Sequence, residues 1–502
     1  MNQSAESPLC RPARPHPRRA TFLVYGGAAA LLLALRLATN GTLGFHIDEL
    51  YYLASGRHPA FGYVDFPPIV PLLARLETGL LGVTPWTLRL LPALVGAVNV
   101  ILSGAYVRKL GGSLRLQALG LLVGVTAPML LGTWLFQTVV FDQLTWMLSL
   151  YWFLCVIVDP RPRTWIYLGI TLGIGLEVKY LILPLIAGIG LAVLLTPKLR
   201  WELGTRYPWI GAVLIVLIWL PNVVWQIANG FPTVTYVLNH QGSIQSGGGI
   251  LDFLALFLLI LLLLTPLWIG GLISLFRRPD LRPIGVACAV PLVVYLLVGK
   301  FYYPGPTIPI VMAAGLLALS RVERRRLRAT LAIAVAVASL LGAVALAKAV
   351  LPITPASRLH AAGLDTAEPD LASTVGWISI TKQMTSIYGA LPPSARDTTV
   401  IVSSDYGVAG ALQIYGNSKL LPESFSPQLS DYFWMPARLP ATDALMVGYD
   451  PSQIGWMCTS SKVVAHLTVP YHVVNLEQGA PVTLCNLRAP LPELWGRLRN
   501  FS

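Results

Sequence analysis

Charged residues are scarce in this sequence. They make up 12% of its 502 residues, only 23 residues are acidic, and 55% of the chain is hydrophobic. A water-soluble protein of this length needs a charged surface, so the composition excludes that class and indicates a polytopic membrane protein. The sequence has no basic face with interleaved aromatic residues and no Gly-rich nucleotide fingerprint. These absences argue against a nucleic-acid partner and against a nucleotide-linked substrate.

The basic residues are unevenly distributed. Residues 1–350 carry 27 Lys and Arg against 12 acidic residues, whereas residues 351–502 carry 9 against 11. With the basic tail 1–20 in the cytoplasm, the Lys and Arg clusters between the apolar runs all fall on the cytoplasmic side, as membrane topology favours. The sequence therefore predicts an all-α transmembrane domain over 21–350, surrounded by membrane lipids. Its eleven predicted spans are 21–39, 88–107, 114–133, 137–158, 164–178, 180–196, 208–225, 251–275, 283–299, 305–320 and 328–349.

One apolar stretch tests this topology. The segment "TWIYLGITLGIGLEVKYLILPLIAGIGLAVLL" has 32 residues, about 48 Å as one helix. That length is long for one span and short for two. A single span would invert the side of every later loop. Two short spans, with Glu177 and Lys179 at their outer hairpin, preserve the topology and are the prediction.

After Lys348 the chain is expected to leave the membrane on the outer side. Residues 351–502 alternate short β-like runs, such as "DTTVIVSSDY" and "APVTLCNLR", with helical ones, a pattern typical of a small α/β soluble domain. On an oxidising side of the membrane, Cys458 and Cys485 could close a loop of roughly 28 residues through a disulfide. The alternative is two free buried thiols.

The outer segment 40–87 is too long for a simple turn. It contains "GFHIDELYYLASGRHPAFGYVDFPP", in which Asp48, Glu49 and Asp65 follow the first span closely. Carboxylates near a span are costly unless they are paired or functional. On a helix, Asp48 and Glu49 would point about 100° apart, so one would act and the other would support it. The residues alone leave a catalytic role and an interfacial aromatic belt equally open.

This stretch resembles the first outer loop of the C-type membrane glycosyltransferases, in their protein O-mannosyltransferase-like and aminoarabinose-transferase-like group. The motifs "FDQLTWMLSLYWF", "GLEVKY", "PNVVWQIANGFPT" and "GKFYYPGPTIPIVMAAG" follow in the same order. The resemblance is good over about residues 20–320 and looser in the C-terminal domain. It implies an enzyme of the cytoplasmic membrane that moves one sugar, with inversion, from a polyprenyl-phosphate donor at the outer face. The acceptor would be a lipid, a protein or a polysaccharide.

The resemblance also implies site residues. It makes Asp48 the general base, which would take the proton of an acceptor hydroxyl from about 3 Å away. Relatives of the aminoarabinose type hold the lipid phosphate with an Arg and a Lys. In this sequence the comparable positions are occupied by Tyr51 and Phe66. The phosphate therefore needs another cation, and the candidates are Lys179, Arg57 and Lys300. For Lys179 the alternative is an interfacial anchor paired with Glu177, and for Lys300 it is ordinary snorkelling.

Other polar residues have several possible roles. Asp65 could orient the loop, bind the donor, or ligate a divalent cation together with His46, Glu49 and His240. Asp142 is either a helix N-cap or a site residue. The second outer segment, about 226–250, is either a mobile lid or a plain connector. Its possible contacts with the sugar or acceptor come from Trp225, Gln226 and His240.

Two other classes of protein compete with the enzyme. A transporter or flippase of a lipid-linked sugar would place ionisable residues at the midplane, in broken helices and inverted repeats. Here the charges cluster at one face of the membrane, and we find no internal repeat. A receptor or scaffold would leave the carboxylates of segment 40–87 unexplained. The sequence therefore favours the glycosyltransferase.

Overall fold

The computed structural model describes residues 18–127, 134–245 and 250–501. Within these ranges, five helices are long and apolar enough to cross a membrane: Arg18–Thr39, Pro85–Lys109, Thr138–Val158, Arg206–Ala228 and Arg325–Ala349. Shorter apolar helices lie between them: Leu114–Thr126, Leu183–Leu195, Ile250–Leu261, Arg282–Val298 and Ile308–Ser320. Further helices of this part of the chain are Ile47–Arg57, Ile69–Leu81, Pro162–Val178, Pro197–Glu202, Pro232–Gln245 and Thr265–Arg277.

The helix bounds agree closely with most of the predicted spans, although the count of eleven and their orientation stay predictions. One difference concerns the predicted span 251–275. The helix ends at Leu261, a 3₁₀ turn follows, and a new helix, Thr265–Arg277, carries Pro266 in its first turn. Proline has no N–H to donate and fits best at the start of a helix, so it divides the span. The end of predicted span 114–133 lies outside the described residues from 128 onward.

The long apolar stretch around Lys179 is interrupted where the sequence predicted. The helix Pro162–Val178 ends, Lys179 is extended (φ −161°, ψ 135°), and a 3₁₀ turn leads into Leu183–Leu195. The first of these helices packs tightly on Arg206–Ala228. A Cβ at Gly169 would lie 2.3 Å from the carbonyl oxygen of Gly211, so only glycine permits this approach. Small residues at helix contacts are typical of membrane proteins.

The C-terminal part forms a mixed sheet of five strands: β1 (Thr399–Ser403), β2 (Ser424–Phe425), β3 (Asp443–Val447), β4 (Cys458–His466) and β5 (Pro481–Leu487). Their order in the sheet is β2-β1-β3-β5-β4. β1 pairs in parallel with β2 and β3, and β5 pairs antiparallel with β3 and β4. Cys458 on β4 and Cys485 on β5 are joined by a disulfide, 27 residues apart in the chain. The longer helices of this part are Trp377–Gly389, Tyr406–Tyr415 and Leu491–Leu498.

Segment 40–87 and the C-terminal sheet domain share one hydrophobic core. Buried residues of the helix Ile47–Arg57, such as Leu50 and Tyr51, lie in the same cluster as Val408 and Leu412 of the helix Tyr406–Tyr415. The sheet domain is therefore packed directly on the segment in which the sequence places the catalytic carboxylate.

Candidate active site

The predicted catalytic pair begins a helix. His46 is the N-cap of Ile47–Arg57: its Nδ1 accepts a hydrogen bond from the backbone N–H of Asp48 (3.1 Å). In return, the Glu49 carboxylate accepts the N–H of His46 (2.8 Å), which completes a capping box. Capping satisfies N–H groups that the helix leaves free at its start, and it fixes the direction of the first turn.

Asp48 has a carboxylate that is held yet accessible. Gln137 Nε2 donates to its Oδ2 and Tyr406 Oη donates to its Oδ1, both over 2.9 Å. The side chain remains 31% exposed. An ionised carboxylate oxygen accepts more than one hydrogen bond, so a substrate hydroxyl can still reach it.

Glu49 is committed to structure. Its side chain is fully buried and accepts two hydrogen bonds from Arg89, and its Oε1 also accepts the N–H of Phe136 (2.9 Å). With the bond from His46, the carboxylate is surrounded by donors. This geometry fits the role in which Glu49 supports Asp48. It does not fit a role of Glu49 in catalysis or in binding a metal ion.

Asp65 and Tyr51 are joined by a hydrogen bond. The Tyr51 hydroxyl donates to Asp65 Oδ1 (2.9 Å) and accepts the N–H of Ser430 in the sheet domain (2.9 Å). Burial raises the pKa of Asp65 to about 7; the bond from Tyr51 opposes this rise and the charge of Asp48 adds to it. The Tyr51 ring is buried and its hydroxyl is occupied by these two partners, so its part in binding the lipid donor stays a prediction. Asp65 fits the role of orienting the loop.

Of the three candidate cations, Lys179 is the one whose charge acts on Asp65. Its charge lowers the pKa of Asp65, and its Nζ is 5.8 Å from the ring centroid of Tyr303. Among the described residues it makes no ion pair with Glu177, which is buried with an unpaired Oε1. The predicted ion pair between Lys179 and Glu177 is therefore wrong.

The other two cations are placed differently. Arg57 lies at the far end of the helix that carries Asp48, about 14 Å along its axis, and its Nη1 donates to the carbonyl of Gln413. It is not brought to the site. Lys300 follows the left-handed C-cap Gly299 and is half-buried. Its carbonyl accepts the N–H of Tyr303, so its backbone adjoins the tyrosine that faces Lys179.

The second outer segment is largely helical, with residues 246–249 outside the described ranges. Gln226 is buried and donates to Thr233 Oγ1 (2.7 Å) and to the carbonyl of Tyr63 (3.2 Å). Trp225 contacts the ring of Phe433, with centroids 6.3 Å apart. Both residues join this segment to its neighbours, as a connector would. The backbone of His240 lies in the helix Pro232–Gln245, and its side chain lies outside the described part.

Asp142 is not an N-cap. The helix Thr138–Val158 begins one turn earlier, after Gln137, and Asp142 Oδ1 accepts a hydrogen bond from Trp146 Nε1 (3.1 Å). The proposed metal ligands are also dispersed among other partners, since His46 and Glu49 belong to the capping box. Over the described ranges, no three His, Cys, Asp or Glu side chains lie close enough to hold a metal ion.

Three residues of the site were missed in the sequence. Arg89 carried a signal, because a lone Arg at the start of an apolar run needs a buried partner. For Gln137 the only signal in the sequence was its position shortly before the "FDQLTW" motif. Tyr406 stands 358 residues after Asp48, and nothing in the local sequence links the two.

Comparisons with known proteins point to one group of membrane glycosyltransferases. Residues 65–225 match the family described as dolichyl-phosphate-mannose-protein mannosyltransferase, a segment that includes Asp65, Asp142 and Lys179 but begins after Asp48. No curated protein sequence matches the chain.

Similar solved structures cover nearly the whole chain. The apo structure of ArnT from Cupriavidus metallidurans is 15% identical, with a TM-score of 0.60 over 94% of this chain and 98% of that one. Its structure bound to undecaprenyl phosphate is 17% identical, with a TM-score of 0.56 over 93% and 98%. The Archaeoglobus fulgidus oligosaccharyltransferase complex with zinc and sulfate is 14% identical, with a TM-score of 0.50 over 84% and 68%.

At these identities the structural likeness shows the fold alone. Together with the family match, it confirms the resemblance to the protein O-mannosyltransferase-like and aminoarabinose-transferase-like membrane glycosyltransferases. The expectation that the chain is a glycosyltransferase is confirmed with it.

Proposed function

We propose that this membrane glycosyltransferase moves a single sugar from a polyprenyl-phosphate donor to an acceptor hydroxyl, with Asp48 as the general base. The observation that carries the proposal is the Asp48 carboxylate: two side-chain donors hold it while 31% of the side chain stays exposed. The fold supports the lipid-linked donor, since ArnT, which shares it, has been solved with undecaprenyl phosphate bound.

The reaction follows from these groups. The acceptor hydroxyl gives its proton to Asp48 as its oxygen attacks the anomeric carbon of the sugar. The bond between that carbon and the phosphate oxygen breaks, and its electron pair leaves with the polyprenyl phosphate. Lys179 is the cation best placed to stabilise the growing negative charge of the leaving group. Attack opposite the leaving group inverts the anomeric centre.

The reaction side is the outer face of the cytoplasmic membrane. The disulfide Cys458–Cys485 supports an oxidising environment for the C-terminal domain. Because that domain is packed on segment 40–87, the base belongs to the same side. The acceptor is an alcohol of a lipid, a protein or a polysaccharide.

The test is release of polyprenyl phosphate by the full chain in nanodiscs, supplied with a panel of polyprenyl-phosphate sugars and candidate acceptors. Asp48→Asn should lower turnover about 10²- to 10⁴-fold, the usual contribution of a general base, and should leave the protein folded. Asp280→Asn, at a partly exposed aspartate paired with Arg278, is the matched control. Wild-type turnover in Asp48→Asn would overturn the base assignment. Movement of labelled lipid across vesicles without any transfer would favour the flippase.

A further inference from the structure

The helix Tyr406–Tyr415 of the sheet domain packs directly on the helix Ile47–Arg57, which carries Asp48. Asp405 is its N-cap, with Oδ1 accepting the N–H of Val408 (2.9 Å). Gly407 and Gly410 face the neighbouring helix: a Cβ at Gly407 would lie 2.5 Å from Ile47 Cγ1, and one at Gly410 would lie 3.0 Å from Leu50 Cβ. A side chain at Gly407 would force Ile47 to shift, and a side chain at Gly410 would press on Leu50. The two glycines therefore favour this close packing of the helices.

This close approach brings Tyr406 to Asp48. The phenol donates to Oδ1 over 2.9 Å. The ring of Tyr406 stacks on that of Tyr51, with centroids 4.5 Å apart and planes at 24°, so the direction of the hydroxyl is fixed. Gln137 holds the other carboxylate oxygen from the membrane domain. The carboxylate is thus oriented by one donor from each of two parts of the chain.

We propose that Tyr406 is a positioning residue for the general base, and that the C-terminal domain thereby completes the active site. The proposal rests on Asp48 being the base. A hydrogen bond donated to a carboxylate favours its charged form. The bond from Tyr406 therefore acts on the proton-accepting form of the base, and it aims the exposed face of the carboxylate at the incoming hydroxyl.

Other titratable groups also face Asp48, and a pH profile reports their combined effect. His46 Nδ1 is 3.9 Å from Asp48 Oδ2, and the charge of Asp48 acts on the side chains that surround it. These are Tyr52, Asp65, Tyr236 and Tyr406. A change confined to the Tyr406 hydroxyl leaves the other four groups as they are.

The test compares Tyr406→Phe with Tyr415→Phe in the full chain in nanodiscs. Tyr415 is the matched control: it lies at the other end of the same helix and packs on Phe45, with ring centroids 6.0 Å apart. Tyr406→Phe keeps the stacked ring and removes one hydrogen bond to a charged group, so kcat should fall about 10-fold or more. The KM for the donor should stay unchanged, and the acidic limb of the pH–rate profile should move to higher pH. Tyr415→Phe should change none of these.

A second variant guards against misfolding of the first. Replacing the side chain at 406 by 3-fluorotyrosine keeps the ring and makes the hydroxyl a stronger donor, so the acidic limb should move to lower pH. Suppose that Asp48→Asn is inactive and that the acidic limb of the pH–rate profile is the same in the wild type and in every folded variant at position 406. That result would overturn the inference. An active Asp48→Asn would instead overturn the base assignment on which the inference rests.

Discussion

Arg89 donates two hydrogen bonds to Glu49, from Nε to Oε1 over 2.8 Å and from Nη2 to Oε2 over 2.6 Å. Both side chains are fully buried. The same guanidinium donates to the carbonyls of Asn40 and Gly44, and therefore ties the start of segment 40–87 to the helix that follows it. The pair fixes the helix turn on which Asp48 stands.

Removing the charge of Glu49 should destabilise the protein strongly. Glu49→Gln keeps the shape of the side chain but leaves the Arg89 charge buried without a counterion, which typically costs about 3–5 kcal/mol. We expect a large fall in the thermal unfolding midpoint in detergent. Asp159→Asn is the control, since it removes a partly exposed partner of Lys109, a pair worth at most about 1 kcal/mol. A Glu49→Gln protein with normal stability and no turnover would instead make Glu49 catalytic.

Removing the ammonium of Lys179 should weaken the interaction with the donor phosphate. A hydrogen bond or ion contact to a charged group is worth about 1.5–3 kcal/mol, so Lys179→Ala should raise the KM for the polyprenyl-phosphate sugar about 10- to 100-fold. Arg57→Ala is the control, because Arg57 binds the carbonyl of Gln413 away from the site. Equal donor affinity in Lys179→Ala and wild type would move the phosphate site elsewhere.

Much of this architecture could be predicted from local sequence. Apolar runs indicated the helices. The distribution of the basic loops predicted that the stretch around Lys179 is interrupted, because a single span would have placed every later loop on the opposite side. The start of the helix at Ile47 is likewise determined by neighbouring residues, because the capping box joins His46 to Glu49, three residues later.

What could not be predicted depends on packing between distant segments. The role of Glu49 is decided by Arg89, 40 residues later, and the second donor to Asp48 comes from Tyr406. Local sequence shows that a buried carboxylate needs partners, but the fold alone decides which side chains supply them. For this reason the resemblance predicts Asp48 as the base, while the local sequence leaves the roles of Glu49 and Tyr51 open.

His46 is expected to support Asp48 through its backbone. Since Nδ1 accepts the N–H of Asp48, the neutral ring carries its proton on Nε2, which lies 3.6 Å from Asp370 Oδ1. His46→Ala removes the cap and should lower stability by about 1 kcal/mol. His46→Asn offers an oxygen in the same role and should restore most of that loss. Thermal unfolding of both variants, with Asp370→Asn beside them, separates the cap from the contact with Asp370. Equal losses in His46→Ala and His46→Asn would show that the cap contributes nothing.

Asp431 should make the protein less stable as pH rises. Its side chain is 2% exposed, and neither carboxylate oxygen has a hydrogen-bond partner among the described residues. Burial, and then the charges of Asp405 and Asp65, raise its pKa well above the ordinary value of 3.8. The folded protein thus keeps a proton that the unfolded chain releases. The resulting stability is complete below the unfolded pKa and is lost as pH rises through the folded pKa.

Asp431→Asn removes this titration, because the amide stays neutral at every pH. The unfolding midpoint of the wild type should therefore fall more between pH 4.5 and pH 8 than that of the variant, with the variant the more stable at pH 8. Asp397→Asn, at an exposed aspartate of the same domain, should follow the wild type. A variant that is less stable than the wild type at pH 8 would mean that Asp431 is ionised and stabilised in the folded protein, contrary to its lack of partners.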